Sequence, residues 1–191
     1  MGYWAHDFLE QFPSLEFFHY HLHDGRPAIK YLLDRYPHYF QGKLLEVGAG
    51  LGSLSKFVPN YTGIEKYPID ERQQENNVII KPFGFEDTHE FDTILFLESI
   101  HLWFIAFEAK KLIDSGKTVI IFDNMKWLPD AAESLIKSSN QIVFEDMSEL
   151  VLGDLDCLQQ MLIGDEVQMP KKSGDGFFFT VLNTSSGPKL L

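Results

Sequence analysis

The sequence predicts an α/β fold built on a doubly wound, mainly parallel sheet. Two observations predict it. Short apolar runs alternate with amphipathic segments from residue 43 onward, and the first run stops in a glycine-rich turn. The expected strands are 43–47, 62–65, 78–81, 93–97 and 118–122, with later runs at 141–144 and 176–183. The expected helices are 51–57, 101–114 and 129–138, and Leu155, Leu158, Met161 and Leu162 mark another within 150–174. Ahead of this core, residues 1–42 read as a helical cap. Leu15, Phe18 and Leu22 fall at helical spacing before Gly25, and Pro27 opens a second helix whose apolar face carries Ile29, Leu32, Leu33 and Tyr36. The chain is expected to form one domain over 1–191, with a core over 43–184 and a loose tail over 185–191.

Composition narrows the function classes. Hydrophobic residues make up 45% of the chain and 17 are phenylalanine, which favours a packed interior over disorder. No apolar run is long enough to cross a bilayer, and residues 1–11 lack the basic-then-apolar order of a secretory signal. One cysteine, Cys157, excludes an intrachain disulfide framework and suits a reducing cytoplasm. The net charge of −12 argues against a nucleic-acid substrate, because binding to that backbone draws its energy from cations that neutralise phosphates. Residues 138–170 hold seven acids and no Lys or Arg, which reads as a solvated face that keeps the protein soluble.

The turn after the first run is Glu46-Val47-Gly48-Ala49-Gly50-Leu51-Gly52. Without a Cβ, glycine lets a ligand lie almost on the backbone. The spacing is not that of the phosphate-cradling fingerprint G-x-G-x-x-G, because Ser53 stands where that pattern needs its third glycine. Glu46 would repel a pyrophosphate and suit a cationic ligand end. Glu65 follows the second run, 19 residues beyond Glu46, and an acid there can accept both hydrogen bonds from a ribose diol.

The acidic-x-Gly-x-Gly-x-Gly pattern resembles motif I of the class I S-adenosylmethionine-dependent methyltransferases. The resemblance covers about residues 43–124 and implies a Rossmann-like sheet of about seven strands, the last inserted antiparallel beside the fifth. It implies S-adenosyl-L-methionine as cofactor, held by Glu46, Gly48, Ala49, Gly50, Gly52, Glu65, Lys66, Phe85 and Glu98. Phe85 stands where the family usually has an acid near the adenine. The segment from Phe91-Asp92 to His101 also resembles the family, and a helix beginning near Ser99 would set Glu98 and His101 about one turn apart. These two are the candidate catalytic residues, with His101 able to take a proton from an attacking hydroxyl or amine. His19, His23 and Trp103 are expected to line an acceptor pocket. No metal is expected: Asp123-Asn124 resembles the metal pair of catechol-type O-methyltransferases, but Glu98 is one residue out of place for the third ligand.

The expected function is methyl transfer to an O or N nucleophile of a small organic molecule, with no nucleic-acid or membrane partner. Two alternatives stay open. One is the same fold with a bound cofactor and a non-methylating role, cyclisation or scaffolding. The other is a protein methyltransferase whose acidic 138–170 segment docks a basic tail. The acceptor and the oligomeric state are not legible in the residues.

Overall fold

A computed structural model describes residues 27–69, 71–97, 99, 106–125, 130, 133, 136, 141–149 and 176–182. Among the described residues, seven strands form one sheet: β1 (Leu44–Val47), β2 (Tyr61–Glu65), β3 (Val78–Ile80), β4 (Thr93–Leu97), β5 (Thr118–Asn124), β6 (Gln141–Asp146) and β7 (Phe177–Leu182). Their order is β3-β2-β1-β4-β5-β7-β6. The first five run parallel, and β7 is antiparallel to both β5 and β6. This is the Rossmann-like, mostly parallel arrangement expected from the sequence, with its antiparallel last strand beside the fifth.

Apolar residues on both sides of each central strand make two cores. Leu45, Val47, Ile94, Phe96, Val119 and Ile121 face one layer, where Leu112 and Ile113 of the helix Ala106–Asp114 join them. Leu44, Leu95, Leu97, Ile120 and Phe122 face the other, together with Leu32 from the helix Pro27–Arg35 and Phe40 from the 3-10 turn Pro37–Phe40. The successive residues Leu44 and Leu45 point to opposite layers, as the period of two requires. In residues 27–42, the described part of the expected cap, Leu32 and Phe40 therefore belong to one layer of the core. Arg35 and Tyr36 tie this layer to β6 by donating to Glu145 Oε1, Arg35 at 2.8 Å.

Several boundaries differ from expectation for physical reasons. The helix expected over 51–57 is a 3-10 turn, Ser53–Lys56. Gly52 is left-handed and Pro59 disfavours helical geometry at the residue before it, so the interval is too short for an α-helix. A helix the sequence did not announce, Arg72–Glu75, lies between β2 and β3. β5 runs on through Asp123 and Asn124 because β7 pairs with it there, Asn124 opposite Phe177. Asp123-Asn124 is therefore strand and not loop, and Asp123 is fully buried. Asp130, Glu133 and Ile136 are helical, within the expected 129–138 segment. The expected helices around Leu15–Leu22 and within 150–174 lie outside the described residues. Among the described residues, no helix is long and apolar enough to cross a membrane.

Candidate functional site

The strand order reverses between β1 and β4, and in an open α/β sheet the crevice outside their carboxyl ends is where ligands bind. Ser99 joins the two ends. Its Oγ donates to the Val47 carbonyl at 2.6 Å, and the side chain is buried. The glycine turn leaves β1 at this point. Gly48, Gly50 and Gly52 have φ of 76°, 58° and 71°, a region that other residues enter at a cost. A Cβ on Gly52 would also stand 2.3 Å from Val78 Cγ2.

Four of the five amides from Gly48 to Gly52 are already used. Gly48 N–H and Ala49 N–H both donate to the Ile64 carbonyl, at 2.9 and 3.1 Å, and Gly52 N–H donates to the Ala49 carbonyl at 2.8 Å. Gly50 N–H donates to Glu65 Oε2 at 3.0 Å. An anion-binding nest needs N–H groups free to converge on a phosphate, and these four point elsewhere. The carbonyls are clasped from the Arg72–Glu75 side. Gln73 Nε2 donates to Gly50 O at 2.9 Å and Asn76 Nδ2 to Leu51 O at 2.8 Å.

Two carboxyl groups flank the turn. Glu65 ends β2, half-buried, and its Oε1 accepts from the Lys66 and Tyr67 amides at 2.8 and 3.3 Å. With the Gly50 amide on its other oxygen, three backbone donors fix it. Glu46 lies within β1, only 2% exposed, with Gly63 of β2 opposite on one side and Leu95 of β4 on the other. The Tyr61 hydroxyl donates to its Oε2 at 2.5 Å. Burial pushes the Glu46 carboxyl up to about 8; the Tyr61 hydrogen bond pulls the other way, and the Glu65 charge adds to the rise. Burial beside Glu46 likewise drives the Tyr61 phenol well above its ordinary range. The sequence led us to expect an ionised Glu46. The structure gives a carboxyl pushed toward its neutral form, because it is out of water with one hydroxyl donor among the described residues.

The other expected site residues fall as follows. Phe85 begins the 3-10 turn Phe85–Thr88 after β3. Its ring packs on the first core cluster, edge-on to His89, and the Lys111 ammonium sits 5.9 Å from the ring centroid. Asp87, which follows it, accepts from the Gly84 amide at 2.9 Å and pairs with Lys81, so it caps its own loop. Lys66 is exposed, its ammonium 5.1 Å from the Tyr67 ring centroid. Glu98, His101, Trp103, His19 and His23 lie outside the described residues. The structure thus brings together Glu46, Gly48, Ala49, Gly50, Gly52 and Glu65. It adds Tyr61, Gln73, Asn76 and Ser99, which the sequence reading missed. Strand parity carries a signal for Tyr61, since it shares a face with Glu46 once β1 and β2 are in register; Gln73, Asn76 and Ser99 carry none. Among the described residues, no three His, Cys, Asp or Glu side chains gather as a metal site.

No family model matches the chain, and no curated protein sequence does. Solved structures do share its fold. A protein from Pyrococcus horikoshii matches with a TM-score of 0.51 at 15% identity, over 83% of this chain and 88% of its own. A functionally unknown protein from Deinococcus radiodurans gives 0.51 at 12% identity, over 84% and 89%. An S-adenosylmethionine-dependent methyltransferase from Mesorhizobium loti gives 0.50 at 10% identity, over 83% and 98%. The fold is that of the class I methyltransferases. At these identities the likeness speaks for architecture alone.

Proposed function

We propose that the protein is an S-adenosylmethionine-dependent methyltransferase that transfers a methyl group to an oxygen or nitrogen nucleophile of a small organic molecule. The observation that carries the reading is the turn at the strand switch point. Four of its five amides are spent within the protein while two carboxyl groups bracket it, an arrangement that disfavours a diphosphate and suits a ligand with an ammonium at one end and a diol at the other. S-adenosylmethionine fits this set. Glu65 would accept its ribose hydroxyls, Glu46 would face its ammonium, Gly48–Gly52 would give it flat backbone contact, and Phe85 and Lys66 would border the adenosine. When bound there, the cofactor supplies an electrophilic methyl group on a sulfonium.

The work left to this chain is alignment, exclusion of water and removal of one proton. His101, three residues beyond Glu98 in the sequence, is assigned the proton from the attacking hydroxyl or amine. His19, His23 and Trp103 are assigned to the walls of the acceptor pocket. The acidic balance of the chain disfavours nucleic acid as acceptor, and the single cysteine suits a cytoplasmic setting.

Calorimetry with S-adenosylmethionine and its demethylated product tests the reading. Binding of both is expected, and a mass gain of one methyl on an acceptor then separates transfer from binding alone. Glu65→Ala should weaken binding by about 1.5–3 kcal/mol, the worth of hydrogen bonds to a charged group. Absence of heat with either compound would end the proposal. If His101→Ala leaves turnover intact, a different group is the base.

A further inference from the structure

The Glu46–Tyr61 pair has a role beyond packing. Tyr61 opens β2, and its side chain runs along the sheet face past Gly63 to reach Glu46. A Cβ on Gly63 would meet the Tyr61 hydroxyl oxygen at 2.9 Å and Ala49 Cβ at 2.7 Å, so the glycine keeps this lane open. Glu46 Oε2 takes the phenol proton in a hydrogen bond. Among the described residues, Oε1 has no hydrogen-bond partner and no cationic side chain pairs with either oxygen. Among the described residues, the groups that face Glu46 are Tyr61 and Glu65 on β2 and the uncharged Gly63 and Leu95 on the two flanking strands. A buried carboxylate with one neutral donor and a second acid nearby is costly, and a carboxylic acid there is not.

We infer that Glu46 gives up its proton to solvent when an ammonium group docks at the turn, with Tyr61 as the positioning residue that holds the carboxyl in both forms. The step breaks one O–H bond heterolytically. The electron pair stays on Glu46, the proton goes to water, and nothing is oxidised or reduced. The inference rests on the cofactor reading above, whose ligand carries that ammonium. A free-state carboxyl near pH 8 agrees with the geometry. Cofactor binding then becomes proton-linked: affinity rises with pH below about 8, by up to tenfold per unit, as the proton to be displaced grows easier to lose.

The test is calorimetry of S-adenosylmethionine binding at about pH 6–7 in buffers of different ionisation enthalpy, which counts protons released per cofactor. Release approaching one proton is expected for the natural chain and none for Glu46→Gln. In Tyr61→Phe the carboxylate loses its donor, so the bend in affinity against pH should move up by about one unit, a shift that a purely structural tyrosine would not produce. Infrared difference spectra of the ligand-free protein against Glu46→Gln should show a protonated carboxyl band at the same pH. Binding without proton release, or a missing band, overturns this inference and leaves the cofactor reading standing. No binding at any pH overturns both.

Discussion

At the scale of single residues, the feature with the largest consequence is a carboxyl group kept out of water. Glu46 has a folded-state value of about 8 against an ordinary 4.5, so the folded chain holds a proton that the unfolded chain has lost. Its contribution is fully present below the unfolded value. It declines as pH rises from about 4.5 to 8, at about 1.4 kcal/mol per pH unit while only the folded form is protonated. Glu46→Gln keeps the shape and removes the titration. Its stability relative to the natural chain should therefore rise by about 1.4 kcal/mol per unit between pH 5 and 8 and level off above. Denaturant unfolding at a series of pH values checks this; parallel curves for the two proteins would show that Glu46 does not titrate there. The acid was legible from its place two residues before a glycine turn. Its protonation was not, because that depends on Tyr61, 15 residues further on, which comes alongside only through the pairing of β1 with β2.

At the scale of elements, the short helix Arg72–Glu75 acts as a polar clasp. Its residue Gln73 is buried, takes the Ile69 amide on Oε1 at 2.6 Å, and gives Nε2 to the Gly50 and Tyr67 carbonyls. Gln73→Ala leaves these backbone groups unmet. We expect a loss of about 1–3 kcal/mol and faster amide exchange at Ile69 and through Gly48–Gly52, with the β5–β7 amides unchanged. Exchange that rises evenly across the sheet would instead mean that Gln73 supports the whole fold. The strands could be read from sequence because their apolar runs and periods are local. This helix could not, because Arg-Gln-Gln-Glu has no apolar position and its buried side chain is a glutamine. The 3-10 turn Ser53–Lys56 was misread as a longer helix because Leu51, Leu54 and Val58 keep helical spacing while Gly52 and Pro59 confine the chain. What made the candidate site legible was position: both acids sit at or near the carboxyl ends of neighbouring parallel strands.

At the scale of the whole molecule, β7 carries residues of both layers, as β1, β4 and β5 do. It lies between β5 and β6, and its residues alternate between the two cores. Phe178 is buried in the first cluster and stacks on Phe144 of β6 at 5.8 Å. Phe179 is buried in the second and stacks on Tyr36 at 5.3 Å, beside the Arg35–Glu145 pair that ties the first described helix to β6. Removing either ring opens a cavity in one layer, at a cost of about 3–5 kcal/mol. Because one strand carries both rings, the damage should not stay on one side. Phe178→Ala and Phe179→Ala should each lower stability by that amount and still unfold in one cooperative transition, with the turn at the end of β1 lost together with the C-terminal strands. As an exposed control on the opposite edge, Ile79→Ser should change stability by no more than about 0.5 kcal/mol. Near- and far-ultraviolet dichroism followed through the same denaturant series checks this. Two separated transitions in Phe179→Ala would mean that the layers fold as independent units and that the glycine turn does not depend on β7.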